Sequence, residues 1–81
     1  MKIVVKLFAG MAETYGRPAI EVDLPTDATV AELRSKLVQS APALSPLLTG
    51  SLFAVDAEYV SNDFPLSHGG EVACIPPVSG G

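Results

Sequence analysis

Glu71-Val72-Ala73-Cys74-Ile75-Pro76-Pro77-Val78-Ser79-Gly80-Gly81 closes the chain. Residues 71–75 read as a strand, with Val72 and Cys74 on one face and Ala73 and Ile75 on the other. The two prolines then stop strand pairing, because each fixes φ near −65° and removes an amide donor. Pro76 also pushes Ile75 toward extended geometry, and Pro77 does the same to Pro76. The last two residues lack a Cβ, so a partner's backbone can come close. From Pro77 to Gly81 the chain can reach roughly 15 Å, at about 3.3–3.6 Å per residue. The expected organisation is one domain over residues 1–76 and an extended, flexible tail over residues 77–81, tipped by a free carboxylate.

A terminal strand needs neighbours, and the opening of the chain supplies one. Residues 2–8 are rich in β-branched side chains, with Ile3, Val5 and Leu7 on one face. Lys2, Val4, Lys6 and Phe8 fall on the other, less buried face. Phe8 is there either as a partner contact or as a cover for the sheet edge. Ala9 to Tyr15 reads as a short helical turn stopped by Gly16. Residues 19–24 alternate, with Ile20, Val22 and Leu24 inward and Glu21 and Asp23 outward, as in a half-buried strand.

After a turn at Pro25-Thr26-Asp27-Ala28, Thr29-Val30-Ala31-Glu32 has the spacing of a capping box. Val30, Leu33, Leu37 and Ala41 then form an apolar stripe at helical spacing, with Arg34, Lys36 and Gln39 expected to face water. Pro42 ends that helix. A turn of helix is expected between Leu44 and Leu48, and Leu52 to Val55 reads as a short strand. Tyr59-Val60 reads as an extended stub, and Ser61-Asn62-Asp63 and Ser67-His68-Gly69-Gly70 as turns. The order is strand, strand, helix, strand, strand. A helix crossing the sheet must bring the last strand back beside the first, parallel to it. In the α+β class this order fits a mixed sheet grasping one main helix, the β-grasp or ubiquitin-like layout, as well as other small α+β sheets; the terminal strand running straight into Gly80-Gly81 favours the β-grasp.

Composition narrows the function. Eighty-one residues make one small domain, and 48% apolar content is enough for a core without staples. A single cysteine excludes an internal disulfide and fits a reducing cytosol. A net charge of −4, with five scattered basic residues, excludes a phosphate-neutralising surface and hence nucleic acid. It points to a partner with a basic docking surface. Lys6 interrupts the first apolar run too early for a signal sequence, and no stretch approaches the ~18 apolar residues of a membrane span. A cytoplasmic location is expected.

Chemistry of the chain's own is hard to find. There is no phosphate-binding glycine loop, and one histidine, His68, cannot make a histidine metal site. Cys74 and His68 are six residues apart, but a thiol in an apolar strand has a raised pKa and is inert. Asp56, Glu58 and Asp63 fall in loops without a convergent partner. What remains is the C-terminal carboxylate, whose reference pKa of about 3.3–3.7 makes it an anion and a poor electrophile at neutral pH. It becomes reactive once activated, most simply as an acyl-adenylate. With no nucleotide site in this chain, that activation is expected in trans.

The tail Pro76-Pro77-Val78-Ser79-Gly80-Gly81 resembles the C-terminus of the small subunit of molybdopterin synthase. Asp63-Phe64-Pro65-Leu66-Ser67-His68-Gly69-Gly70-Glu71-Val72-Ala73 resembles the run that precedes it in that family. Val5-Lys6-Leu7-Phe8-Ala9 and Thr29-Val30-Ala31-Glu32-Leu33 fit as well. The chain departs from the family at Gly70, where an acidic residue is common, and at Cys74-Ile75, where bulky aromatics often stand.

The resemblance implies a sulfur carrier that binds no cofactor itself. A ubiquitin-activator-like enzyme would use ATP to adenylate Gly81, and sulfur would replace AMP to give a thiocarboxylate. Pro77, Val78, Ser79 and Gly80 would insert the tip into the large synthase subunit. There, sulfur would pass to a cyclic pyranopterin precursor of the molybdenum-binding dithiolene. The implied assembly is a heterotetramer around a large-subunit dimer, with Phe8 and Ile75 next to the interface. The alternatives are a carrier for thiamine, cysteine or tRNA thiolation, a ubiquitin-like protein modifier, and an interaction domain with an inert tail.

Overall fold

The computed structural model describes residues 1–66 and 70–76. The elements are β1 (Lys2–Leu7), α1 (Gly10–Tyr15), β2 (Ala19–Asp23), α2 (Val30–Ser40), a 3₁₀ turn (Pro42–Leu44), α3 (Ser45–Leu48), β3 (Leu52–Val55), β4 (Glu58–Val60) and β5 (Val72–Ile75). They build a five-stranded sheet in the order β2-β1-β5-β3-β4. β1 is antiparallel to β2, from Lys2 opposite Asp23 to Lys6 opposite Ala19. It is parallel to β5, with Val5, Lys6 and Leu7 beside Val72, Ala73 and Cys74. The closing strand therefore lies at the centre of the sheet, which is the β-grasp arrangement.

Periodicity explains the layers. β1 alternates exposed and buried residues along its length, and its inward set is Ile3, Val5 and Leu7. Val30, Leu33 and Leu37 of α2 are fully buried against that inner face. Burying a leucine or valine side chain is worth about 1.5–3 kcal/mol, so this helix stripe is a main source of stability. Thr29 and Glu32 close the capping box, with the Thr29 amide donating to Glu32 Oε1 at 3.3 Å. Gly16 ends α1 in the left-handed region at φ 84°.

Two expectations need amending. The Tyr59-Val60 stub belongs to a fifth strand, β4, whose pairing with β3 the short sequence run did not reveal. The β3–β4 hairpin turns through Asp56 and Ala57, both at positive φ (50° and 69°), as the tightest two-residue hairpins require. Arg34 is not a water-facing helix residue. It is half-buried, with its guanidinium turned back to the chain around Leu48 and Ser51.

Candidate functional site

Ile75 is the last residue of β5, and the chain leaves the sheet there through Pro76. The predicted tail residues Pro77, Val78, Ser79, Gly80 and Gly81 lie outside the described residues, as does His68. What can be built is the root of the tail and the surface around it.

Register decides that surface. Cys74 and Val72 point into the core, so Ala73 and Ile75 point to the opposite, outer face. Leu7 sits beside Cys74, which brings Phe8 next to Ile75. On the other side Leu52 is the register partner of Ile75, and Ala54 that of Ala73. Tyr59 pairs with Ala54. Phe8, Ile75 and Leu52 thus share the end of the outer face from which the tail departs, with Tyr59 one row further in beside Ala54. Phe8 is 46% exposed, Leu52 54% and Tyr59 67%. Apolar groups gathered on one side of a small domain in this way form an exposed patch.

The sequence placed Phe8 and Ile75 on this face correctly and missed Leu52 and Tyr59. Leu52-Phe53-Ala54-Val55 is apolar throughout, so it shows no alternation from which to choose a face. The neighbouring part of the outer face is charged. Lys2 pairs with Glu21 at 3.6 Å and Lys6 with Glu71 at 3.1 Å, all well exposed.

The features examined as rival sites have structural explanations. The α2 amides of Val30 and Ala31, which could otherwise cradle an anion, donate to the carbonyls of Phe64 (3.1 Å) and Asn62 (2.8 Å). Cys74 is fully buried, with its Sγ 3.3 Å from Met11 Sδ. Burial raises its thiol pKa, outweighing the opposite influence of Ser51 and Arg34. Cys74 therefore faces the core, so of the two departures at Cys74-Ile75 only Ile75 lies on the outer face. Asp56 is committed to structure: its Oδ1 accepts from the Glu71 amide at 2.9 Å, and its own amide donates to the Glu71 carbonyl. Among the described residues no group of three His, Cys, Asp or Glu side chains converges to hold a metal. No helix among them is long and apolar enough to cross a membrane.

The departure at Gly70 also has a physical cause. Its φ is 101°, and a Cβ there would lie 2.6 Å from Asp56 Oδ2. Positive φ disfavours any side chain at this position, and a Cβ there would require the Asp56 carboxylate in the adjoining hairpin turn to shift.

A parallel central strand that ends beside an exposed apolar patch and runs on toward Gly-Gly agrees with the comparisons to known proteins. Residues 5–81 match the ThiS family. The chain belongs to that family. It is 42% identical to the molybdopterin synthase sulfur carrier subunit of Dictyostelium discoideum, over 95% of this chain and 93% of that one. Identity to the sulfur carrier subunit of Escherichia coli is 43%, over 98% and 99% of the two chains. The crystal structure of SAMP1 from Haloferax volcanii superposes with a TM-score of 0.84 over the whole of both chains, at 32% identity. The fold of this ThiS-family chain is thus the ubiquitin-like β-grasp.

Proposed function

We propose that this chain is the sulfur carrier subunit of molybdopterin synthase, and that its working group is the Gly81 carboxylate. The observation that carries this reading is the position of the tail root: β5 ends at Ile75, on the apolar end of the outer face. The named relatives support the choice of pathway.

In this reading a carboxylate oxygen attacks the α-phosphate of ATP in the active site of a separate adenylating enzyme, and pyrophosphate leaves. A sulfur nucleophile then attacks the acyl carbon of the adenylate and AMP departs, giving the thiocarboxylate. The apolar end of the outer face docks on the large subunit, and residues 77–81 reach into its active site. There, sulfur passes to a cyclic pyranopterin precursor, in a heterotetramer built around a large-subunit dimer. The small subunit supplies the sulfur and the large subunit the catalytic groups.

The test is intact-mass analysis of the protein purified from its host with the adenylating enzyme present. Exchange of one terminal oxygen for sulfur is expected, and persistent lack of it overturns the carrier reading. The sulfur-loaded chain mixed with large subunit and precursor then yields a dithiolene product. Without that product, the carrier serves another pathway.

A second reading has its own support. The small archaeal modifier protein 1 of Haloferax volcanii is 35% identical over 94% of this chain. A modifier shares the activation step and then forms isopeptide bonds. Recovery of Gly81 linked to lysines of other proteins distinguishes the two.

A further inference from the structure

Arg34 is the one strongly polar side chain that α2 sends toward the interior end of β3. Its Nη1 donates to the Leu48 carbonyl at 2.6 Å, the Ser51 carbonyl at 3.2 Å and Ser51 Oγ at 3.1 Å. Its Nη2 donates to Asn62 Oδ1 at 3.2 Å, and its Cζ lies 4.8 Å from the centroid of the Phe53 ring. One planar fork therefore ties together the end of α3, the entrance of β3 and the turn after β4, a span no other side chain type covers. None of these contacts is a carboxylate, so this is not an ordinary ion pair.

The contacts converge on Ser51, the one buried polar residue among those described. Ser51 Oγ donates to the Leu48 carbonyl at 2.9 Å, and the Ser51 amide donates to the same carbonyl at 3.2 Å. Ser51 immediately precedes Leu52, and Cys74 immediately precedes Ile75. Leu52 and Ile75 are the register pair on the outer face from which the tail leaves. Arg34 and Ser51 thus hold the entrance of β3 one residue before Leu52, and the Phe53 ring beneath the guanidinium is the register partner of Cys74, one residue before Ile75.

We infer that Arg34 is a positioning residue for docking and tail presentation: from the helix side of the sheet it sets the geometry of the Leu52–Ile75 pair on the partner-facing side. This rests on the carrier reading for its consequence, but the anchoring itself can be measured in the isolated chain. Such a role is one that an apolar side chain could not fill, since the Leu48 and Ser51 carbonyls would lose a donor. Hydrogen bonds have direction, and apolar contacts do not.

The experiment compares wild type with Arg34→Gln, Arg34→Lys and Ser51→Ala, well below their unfolding temperatures. Amide hydrogen exchange in the free chain is expected to accelerate at Leu52 and Ile75 while the β1–β2 pairing stays protected. Each chain is also loaded with sulfur in advance and mixed with the large subunit and the pterin precursor. For Arg34→Gln the half-saturating large-subunit concentration is expected to rise about tenfold, with the rate at saturation held within about twofold. Arg34→Lys falls between, since an ammonium can reach Leu48 or Asn62 but not both.

A lowered melting temperature with unchanged half-saturation overturns the inference, as does loss of protection spread evenly over the sheet. Failure of the wild type to bind the large subunit removes the carrier reading and the docking consequence together. The exchange data then still decide whether Arg34 anchors the strand pair. If Arg34→Gln does not fold, Ser51→Ala and Arg34→Lys carry the same readouts.

Discussion

The two faces of the sheet are built from the same strands and share an apolar character, yet they obey different rules. The inner face is continuous and closed: Val5, Phe53, Val72 and Cys74 are each at most 2% exposed beneath α2. The outer face is mixed, with Lys2, Lys6, Glu21 and Asp23 around an exposed Val4 toward β2, and Phe8, Leu52, Tyr59 and the half-buried Ile75 toward the tail root. Exposed apolar side chains add little to the stability of the isolated chain. In the carrier reading, those near the end of β5 serve a partner, whereas the inner face serves folding.

The comparison breaks first at the tail. Deleting Gly81 is expected to abolish sulfur transfer completely and leave the thermal transition in place, since no described core contact depends on it. A parallel loss of the calorimetric transition would contradict the separation of tail from domain. Next comes the core itself: Phe53→Ala is expected to cost about 3–5 kcal/mol in denaturant unfolding, as for other buried aromatics. On the outer face, Phe8→Asp or Leu52→Asp is expected to change stability by about 0.5 kcal/mol or less. The same changes should weaken large-subunit binding by about 2 kcal/mol, the scale of an interface hot spot, in a titration. Unfolding of either variant would show that the outer patch is core after all.

Two smaller effects sharpen the picture. Gly70→Ala places a Cβ against the Asp56 carboxylate at a φ that disfavours side chains. A loss of about 1–3 kcal/mol is expected, with the crowding part relieved by a simultaneous Asp56→Gly and the positive-φ part retained, measured by a double-mutant cycle. The last is a pH effect at Cys74. Its thiol pKa is raised above the ordinary 9.0 by burial, so the folded state holds the proton more tightly than the unfolded chain. The stability contributed is therefore fully present below the unfolded thiol pKa and is lost as pH rises through that value toward the folded one. Denaturant midpoints should fall in that alkaline window for wild type and stay flatter for Cys74→Ala.

Legibility in the sequence followed the type of signal. The α2 stripe, its capping box, the Gly16 stop and the alternating β1 and β2 were readable because each repeats a local spacing. The parallel pairing of β1 with β5 was inferred from connection rules and is found in the sheet. β4 was seen only as a stub, because three residues cannot show a period. Arg34 was assigned to water from its helical phase alone, although its side chain is long enough to fold back over Phe53.

Local spacing was enough to set where the helices start and stop and which side of β1 faces inward. It also placed Phe8 and Ile75 on the exposed side, since alternation along a strand is a local property. Tertiary packing was needed to show that Leu52 and Tyr59 join them and that the Asp56 carboxylate crowds Gly70. It also showed that one guanidinium on the helix holds the entrance of β3 behind the tail root. Those three facts depend on register and on contacts between residues distant in the chain, and no spacing along a single sequence encodes them.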